Sequence, residues 1–280
     1  MSVPTYLNHP FRHVHLGQLL HDEVMPTLRE TLEEMPATLA AFGWKWVDRP
    51  DGIHMRVTKI RPDGSDGMWL DFRHIIAGSF YGVQASRLET GTALDYRLQM
   101  STYRTDLHLY ISDKHFILFR SDPQANTTSI QDSGYIGMIE VDQWIYPAHD
   151  MSPEYAMASK VGSETNPSPT DDYIWLNYGL TVQQNNQYAG PAFHALHGQA
   201  PGTGTSLTPP LMQEGVMCSA PVPVMTIGGG MHGVIPNAII GREFVSFGVP
   251  VFPNPLYITI YDTPMTFLLI PRAHMYIRIA

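Results

Sequence analysis

The 280-residue chain sets 17 Lys and Arg against 26 Asp and Glu, a formal net charge of −9. An acidic chain of this kind lacks the basic footprint that binding along a nucleic-acid backbone requires, so no direct nucleic-acid partner is expected. Charged residues make up only 15% and hydrophobic residues 44%, which excludes overall disorder and provides enough apolar surface for a sizeable core.

Near the N-terminus, Leu16, Leu20, Val24, Leu28, Leu32, Met35 and Leu39 recur every three or four residues, the spacing of one helical face. Pro26 and Pro36 interrupt the run, and Thr27 with Glu30 reads as a capping box just after Pro26. Two or three short helices are predicted between Leu16 and Phe42, with Glu23, Glu30, Glu33 and Glu34 on the wet face.

From Gly52 the pattern changes to strands. His54–Arg61 alternates, Pro62–Gly67 is a turn cluster and Met68–Arg73 is the returning strand. Leu94–Met100 alternates again. Leu107–Ile111 and His115–Phe119 form a hairpin across Ser112-Asp113-Lys114, and Tyr135–Val141 adds a further strand. Residues 148–172 break the pattern, and Asn166-Pro-Ser-Pro169 cannot hold a regular element. Pro201–Ser206 is a second loop. Strands return at Val222–Ile227, Phe244–Val251, Leu256–Tyr261, Met265–Ile270 and Met275–Ile279, with Asp262-Thr-Pro264 as a turn. Prolines at strand starts and edges fit short strands with exposed edges. The expected fold class is α+β, mainly antiparallel β in sandwich- or barrel-like sheets. The expected organisation is a helical segment at 1–50, a β domain at 51–150, a linker at 151–172 and a β-rich region at 173–280.

The motifs point away from catalysis. Gly228-Gly229-Gly230-Met231-His232-Gly233 matches G-x-G-x-x-G, but Pro236 falls where a phosphate-binding helix would have to grow, and no acidic residue follows at the required distance. Gly78-Ser79 lacks the spacing of a nucleophile elbow, and Gly202–Ser206 has no Lys. The single cysteine, Cys218, excludes an internal disulfide and a Cys-based zinc site within one chain, and reads as an inert thiol. Asp171-Asp172 and Glu33-Glu34 are adjacent, so their side chains diverge. Among 13 histidines, His194 and His197 could share a helical turn and His13 and His15 one face of a strand. Neither pair brings a third ligand or a Glu base with it. Catalytic, cofactor-binding and metal residues are therefore all expected to be none.

Neither a secretory leader nor a stretch approaching ~18 consecutive apolar residues is evident, so a chain made and folded in the cytoplasm, without a membrane partner, is expected. In that setting the sequon Asn126-Thr127-Thr128 carries no meaning. Trp44-Lys-Trp46 and Asp142-Gln-Trp-Ile-Tyr146 lie beside turns, and read either as core or as interface anchors.

The segment Leu107–Phe119, followed after a polar loop by Gly134–Val141, resembles virion structural proteins of large tailed bacteriophages. Gly248–Asn254, Leu256–Tyr261 and Tyr276–Ala280 look like their closing hairpins. The resemblance implies a component of the tail, baseplate or head-to-tail neck. Its partners would be other virion proteins and further copies of itself in a ring, and its location the virion, after assembly in the host cytoplasm. Two other readings of the same residues are a His-based metalloenzyme and a carbohydrate- or receptor-binding module with Trp and Tyr platforms.

Overall fold

Period-two alternation and short apolar runs organise most of this chain into antiparallel strands. The structure is a computed structural model describing residues 2–77, 80–86, 95–100, 103–120, 134–143, 154–158, 160–162, 175–178, 221–225, 231–240, 244–246, 249–251, 254–270 and 275–280. A 3₁₀ turn (Thr5–Leu7) precedes β1 (Phe11–Leu19), α1 (Val24–Glu33), α2 (Pro36–Ala41) and β2 (Trp44–Asp48). There follow β3 (Met55–Ile60), β4 (Asp66–Ala77), β5 (Phe80–Ser86), β6 (Asp95–Met100), β7 (Thr105–Ser112), β8 (His115–Arg120) and β9 (Tyr135–Glu140). Next come β10 (Asp142–Gln143), β11 (Glu154–Ala158), β12 (Lys160–Gly162), β13 (Trp175–Tyr178), β14 (Pro221–Met225) and β15 (Met231–Ile240). The chain closes with β16 (Phe244–Ser246), β17 (Val249–Val251), β18 (Leu256–Ile260), β19 (Thr263–Ile270) and β20 (Met275–Arg278).

Three six-stranded sheets result. The central sheet runs β1-β7-β8-β9-β11-β13 and the helix-side sheet β12-β6-β5-β4-β3-β2. The C-terminal sheet runs β10-β15-β20-β19-β18, with β14 also on β15. A separate pair joins β16 to β17. The fold is the expected β-rich α+β type.

The central sheet is apolar on both faces, which is why His115–Phe119 reads as an unbroken hydrophobic run rather than an alternating one. Leu107, Leu109, Ile111, Phe116 and Leu118 pack toward the helix-side sheet and the buried stripe Val24, Met25, Leu28 and Leu32 of α1. Tyr110, Ile117, Phe119 and Tyr135 point the other way, onto Ile235, Leu268, Ile270 and Ile277 of the C-terminal sheet. The outer face of that sheet is covered in part by Leu7, which packs with Phe267 and Tyr276.

Several expectations are corrected. The helical periodicity begins at Val24, not Leu16: Phe11–Leu19 is the edge strand of the central sheet. Leu16 and Leu20 match a helical stripe by spacing, but Val14 and Leu16 alternate with His13 and His15, and pairing with β7 decides the outcome. Thr27 is not an N-cap; its N–H donates to Glu23 O inside α1. Pro26 sits in the first turn, where its missing donor costs nothing. Glu30, Glu33 and Glu34 are exposed as expected, while Glu23 instead pairs with Arg104 and accepts from Leu20 N–H.

The stretch expected as a linker at 151–172 contains β11 and β12, and sheet membership crosses the boundaries at 50, 150 and 172. The C-terminal hairpin turns at Tyr261-Asp262, both with positive φ (47° and 63°), as a two-residue turn requires; Thr263 and Pro264 are already strand residues paired with Ile260 and Thr259. A strand, β15, rather than a helix follows Gly228-Gly229-Gly230. Trp44 is core: it is buried, and its indole N–H donates to Ser112 O at 2.6 Å.

Candidate functional site: a histidine–aspartate cluster on the edge of the central sheet

In the β1–β7 ladder His13 lies opposite Tyr110, and His15 directly opposite His108. Period two then places His13, His15, Asp106 and His108 on one face. A β-bulge between His15 and Gly17 interrupts the register beside them, and Gly17 takes a φ of +96° there. The bulge leaves His15 opposite His108 while its ring reaches along the strand to Asp106.

The Asp106 carboxylate receives both imidazoles. His15 Nε2 donates to Oδ1 at 2.6 Å, and His108 Nε2 lies 3.2 Å from Oδ2. On the far side of the His108 ring, Nδ1 is 2.9 Å from His13 Nε2. The rings stack: His15 on His108 at 4.7 Å, His13 on His108 at 5.1 Å, and His108 on Phe119 at 5.3 Å between centroids. Phe119 belongs to the core beneath. The cluster thus rises from the buried interior to solvent, with the His108 side chain 7% exposed, Asp106 33% and His15 54%.

Burial sets the protonation of the inner members. Desolvation, reinforced by His108, pushes His13 down to about 4. Desolvation also lowers His108, opposed by the Asp106 charge. Both rings are therefore neutral at physiological pH, with one donor and one acceptor nitrogen each. Among the described residues this is the one group of three His, Cys, Asp or Glu side chains whose candidate ligand atoms all lie within 4.8 Å of one another.

Two smaller polar groups lie elsewhere. His21 Nδ1 is 2.9 Å from His74 Nε2, with Tyr81 tilted against the His21 ring. At the opposite end of the central sheet, His9 Nε2 donates to Asp142 Oδ2 at 2.8 Å, and its Nδ1 lies 3.6 Å from Asp113 Oδ1. The Asp113 and Asp142 contacts hold His9 up at about 9 against the opposing effect of burial. Buried His115 sits nearby with Nδ1 2.8 Å from Ser112 Oγ, and desolvation pushes it down to about 3.

Of the histidine pairs singled out by sequence, His13 and His15 do share a strand face and gain partners there, whereas His194 and His197 lie outside the described residues, as do Cys218, Asn126 and Asp171-Asp172. Sequence reasoning missed Asp106 and His108. Their signal was present: Asp106-Leu-His108 has the same i, i+2 spacing as His13-Val-His15, at the start of the strand predicted from Leu107. The chain matches no protein-family model and no curated protein sequence. Among the described residues, no helix is long and apolar enough to cross a membrane.

Proposed function

We propose that this chain is a structural component of a tailed-bacteriophage virion, in its tail, baseplate or head-to-tail neck, where repeated copies are held by protein–protein contacts and no reaction is catalysed. The observation that carries this reading is the position of β18 at the edge of the C-terminal sheet among the described residues. Among the described residues β18 is hydrogen-bonded to β19 and to no second strand. Tyr257 on this strand is 74% exposed. Ile260 and Thr263 flank the two-residue turn, so Tyr257 and Thr259 fall at the positions whose N–H and C=O groups point away from β19.

Monomeric proteins blunt such edges with Lys, Pro or bulges. Leu256-Tyr-Ile-Thr-Ile260 has none of these, and its exposed tyrosine suits an interface core. A neighbouring chain can extend the sheet there by strand addition. The low charge content supports the same reading, as does the resemblance of Leu107–Phe119 and Gly134–Val141 to virion proteins. The net charge of −9 favours protein partners over nucleic acid.

The test is mass spectrometry of purified particles, which should contain this chain at several copies each. Thr259→Pro removes an outward N–H without touching the hairpin's own bonds. That variant should melt like the parent yet fail to enter particles. Absence of the chain from particles, together with a monomer that binds no virion protein, overturns the reading. Normal incorporation of Thr259→Pro overturns the β18 edge as the contact.

A further inference from the structure

We infer that His15, Asp106 and His108 form a binding site for one divalent transition-metal ion of the zinc class. The proposal is independent of the virion reading. It starts from the convergence of three donors, two imidazole Nε2 atoms and a carboxylate, from adjacent strands. Two His and one carboxylate are a recurrent ligand set for such ions.

The separations are close to what an ion needs. Tetrahedral coordination with bonds of ~2.0–2.1 Å places neighbouring ligand atoms roughly 3.3 Å apart. His108 Nε2 and Asp106 Oδ2 are already 3.2 Å apart, and His15 Nε2 and Asp106 Oδ1 are 2.6 Å apart. The ligand atoms of all three residues lie within 4.8 Å of one another, and the remaining adjustment falls on the half-exposed His15, the ligand with most room to move.

The supporting contacts match those of metal-bound histidines, which give their second ring nitrogen to a fixed partner. His13 Nε2 stands 2.9 Å from His108 Nδ1. Without metal, His108 Nε2–H faces Asp106, and His13 Nε2–H donates to His108 Nδ1. With metal on His108 Nε2, the His108 proton sits on Nδ1 and is donated to His13 Nε2, whose own proton moves to Nδ1. Both rings stay neutral, so this hydrogen bond survives reversed and no proton is gained or lost by the pair. Stacking on Phe119 fixes the plane of the His108 ring. The exposed side of His15 leaves the remaining coordination position to water. Since β1 is the edge strand of the central sheet, the ion would clamp that edge to β7.

The experiment titrates the full chain with Zn²⁺, followed by calorimetry, and with Co²⁺, followed by its visible d–d bands. One ion should bind per chain, with a Co²⁺ spectrum of low-symmetry four- or five-coordination. His15→Gln alters an exposed ligand and should fold normally, yet weaken binding at least tenfold. His13→Gln, which touches no ion, should weaken binding about 10–100-fold, the usual effect of losing a supporting partner. His21→Gln, in the separate histidine pair, should bind as the parent does. Failure of the parent to bind either ion, leaving a hydrogen-bonded network only, overturns the proposal. So does unchanged binding in His15→Gln, or binding lost in His21→Gln.

Discussion

The side-chain amide of Asn237 is hydrogen-bonded to both the N–H and the C=O of His9, 228 residues away. Its Nδ2 also donates to the Tyr110 hydroxyl at 3.0 Å, so a fully buried residue on β15 joins the N-terminal segment to the central sheet. Asn237 has a φ of 53°, a conformation Asn tolerates better than most residues. Asn237→Ala removes three hydrogen bonds and strains the backbone. The expected loss is about 2–4 kcal/mol, read from urea unfolding. A change under ~0.5 kcal/mol would show that water replaces the amide without penalty.

His9 and His115 shape the pH dependence of stability in opposite directions. His9 is raised from 6.5 to about 9 by Asp113 and Asp142. Its contribution is fully present below pH 6.5 and is lost as pH rises through about 9. His115 is held down at about 3 by burial. The unfolded chain binds its proton first, so stability falls as pH drops below 6.5. Stability should therefore peak near pH 6.5. His9→Gln should flatten the alkaline limb and leave the acid limb in place. An alkaline limb of parental steepness in that variant assigns the effect to other groups.

Gly137 on β9 lies directly opposite Ile117 on β8. A Cβ there would stand 2.2 Å from Phe116 O and 2.8 Å from Ile117 Cα, both backbone atoms. No rotamer change relieves that contact, so the strands must part in the middle of the central sheet. Gly137→Ala should cost roughly 3 kcal/mol, at the upper end of overpacking. A melting temperature within a degree or two of the parent would show that the ladder is more pliable than a sheet buried on both faces should be.

β18, β19 and β20 complete two cores at once. Leu268, Ile270, Met275 and Ile277 pack toward the central sheet, while Phe267, Leu269 and Tyr276 pack on the opposite face. Removing Leu256–Ala280 exposes both faces and unpairs β15 from β20. Such a truncation should yield protein without a cooperative melt by calorimetry. Parent-like melting would mean that this sheet is an appendage.

Local patterning was enough to read most strands from Met55 to Glu140 to within a few residues, because turn clusters such as Pro62–Gly67 punctuate them, but it missed β5, Phe80–Ser86, altogether. It also revealed the buried stripe of α1. It was insufficient at Phe11–Leu19, where the same leucines satisfy a helical and an extended spacing. There the free energy of pairing with β7 and packing over the core decides, and neither is encoded in the segment's own periodicity. The domain boundaries suffered in the same way. Strands from the first, second, third and fourth expected segments meet in one sheet, since hydrogen bonding between strands is indifferent to their separation along the chain.

By itself the sequence determined the β-rich class, the absence of an internal disulfide and the presence of two histidines able to share a strand face. Only the tertiary structure decided what those histidines meet. Asp106 and His108 stand more than ninety positions from His15 and His13, respectively. Which atoms converge depends on the β1–β7 register and on the bulge before Gly17. A slip of one residue would turn His13 and His15 to the opposite face. Register is set by the burial of Val14 and Leu16 on one side and the stacking of His108 on Phe119 on the other. The cluster is therefore a product of core packing: the two i, i+2 motifs offer its members, but neither announces that they pair.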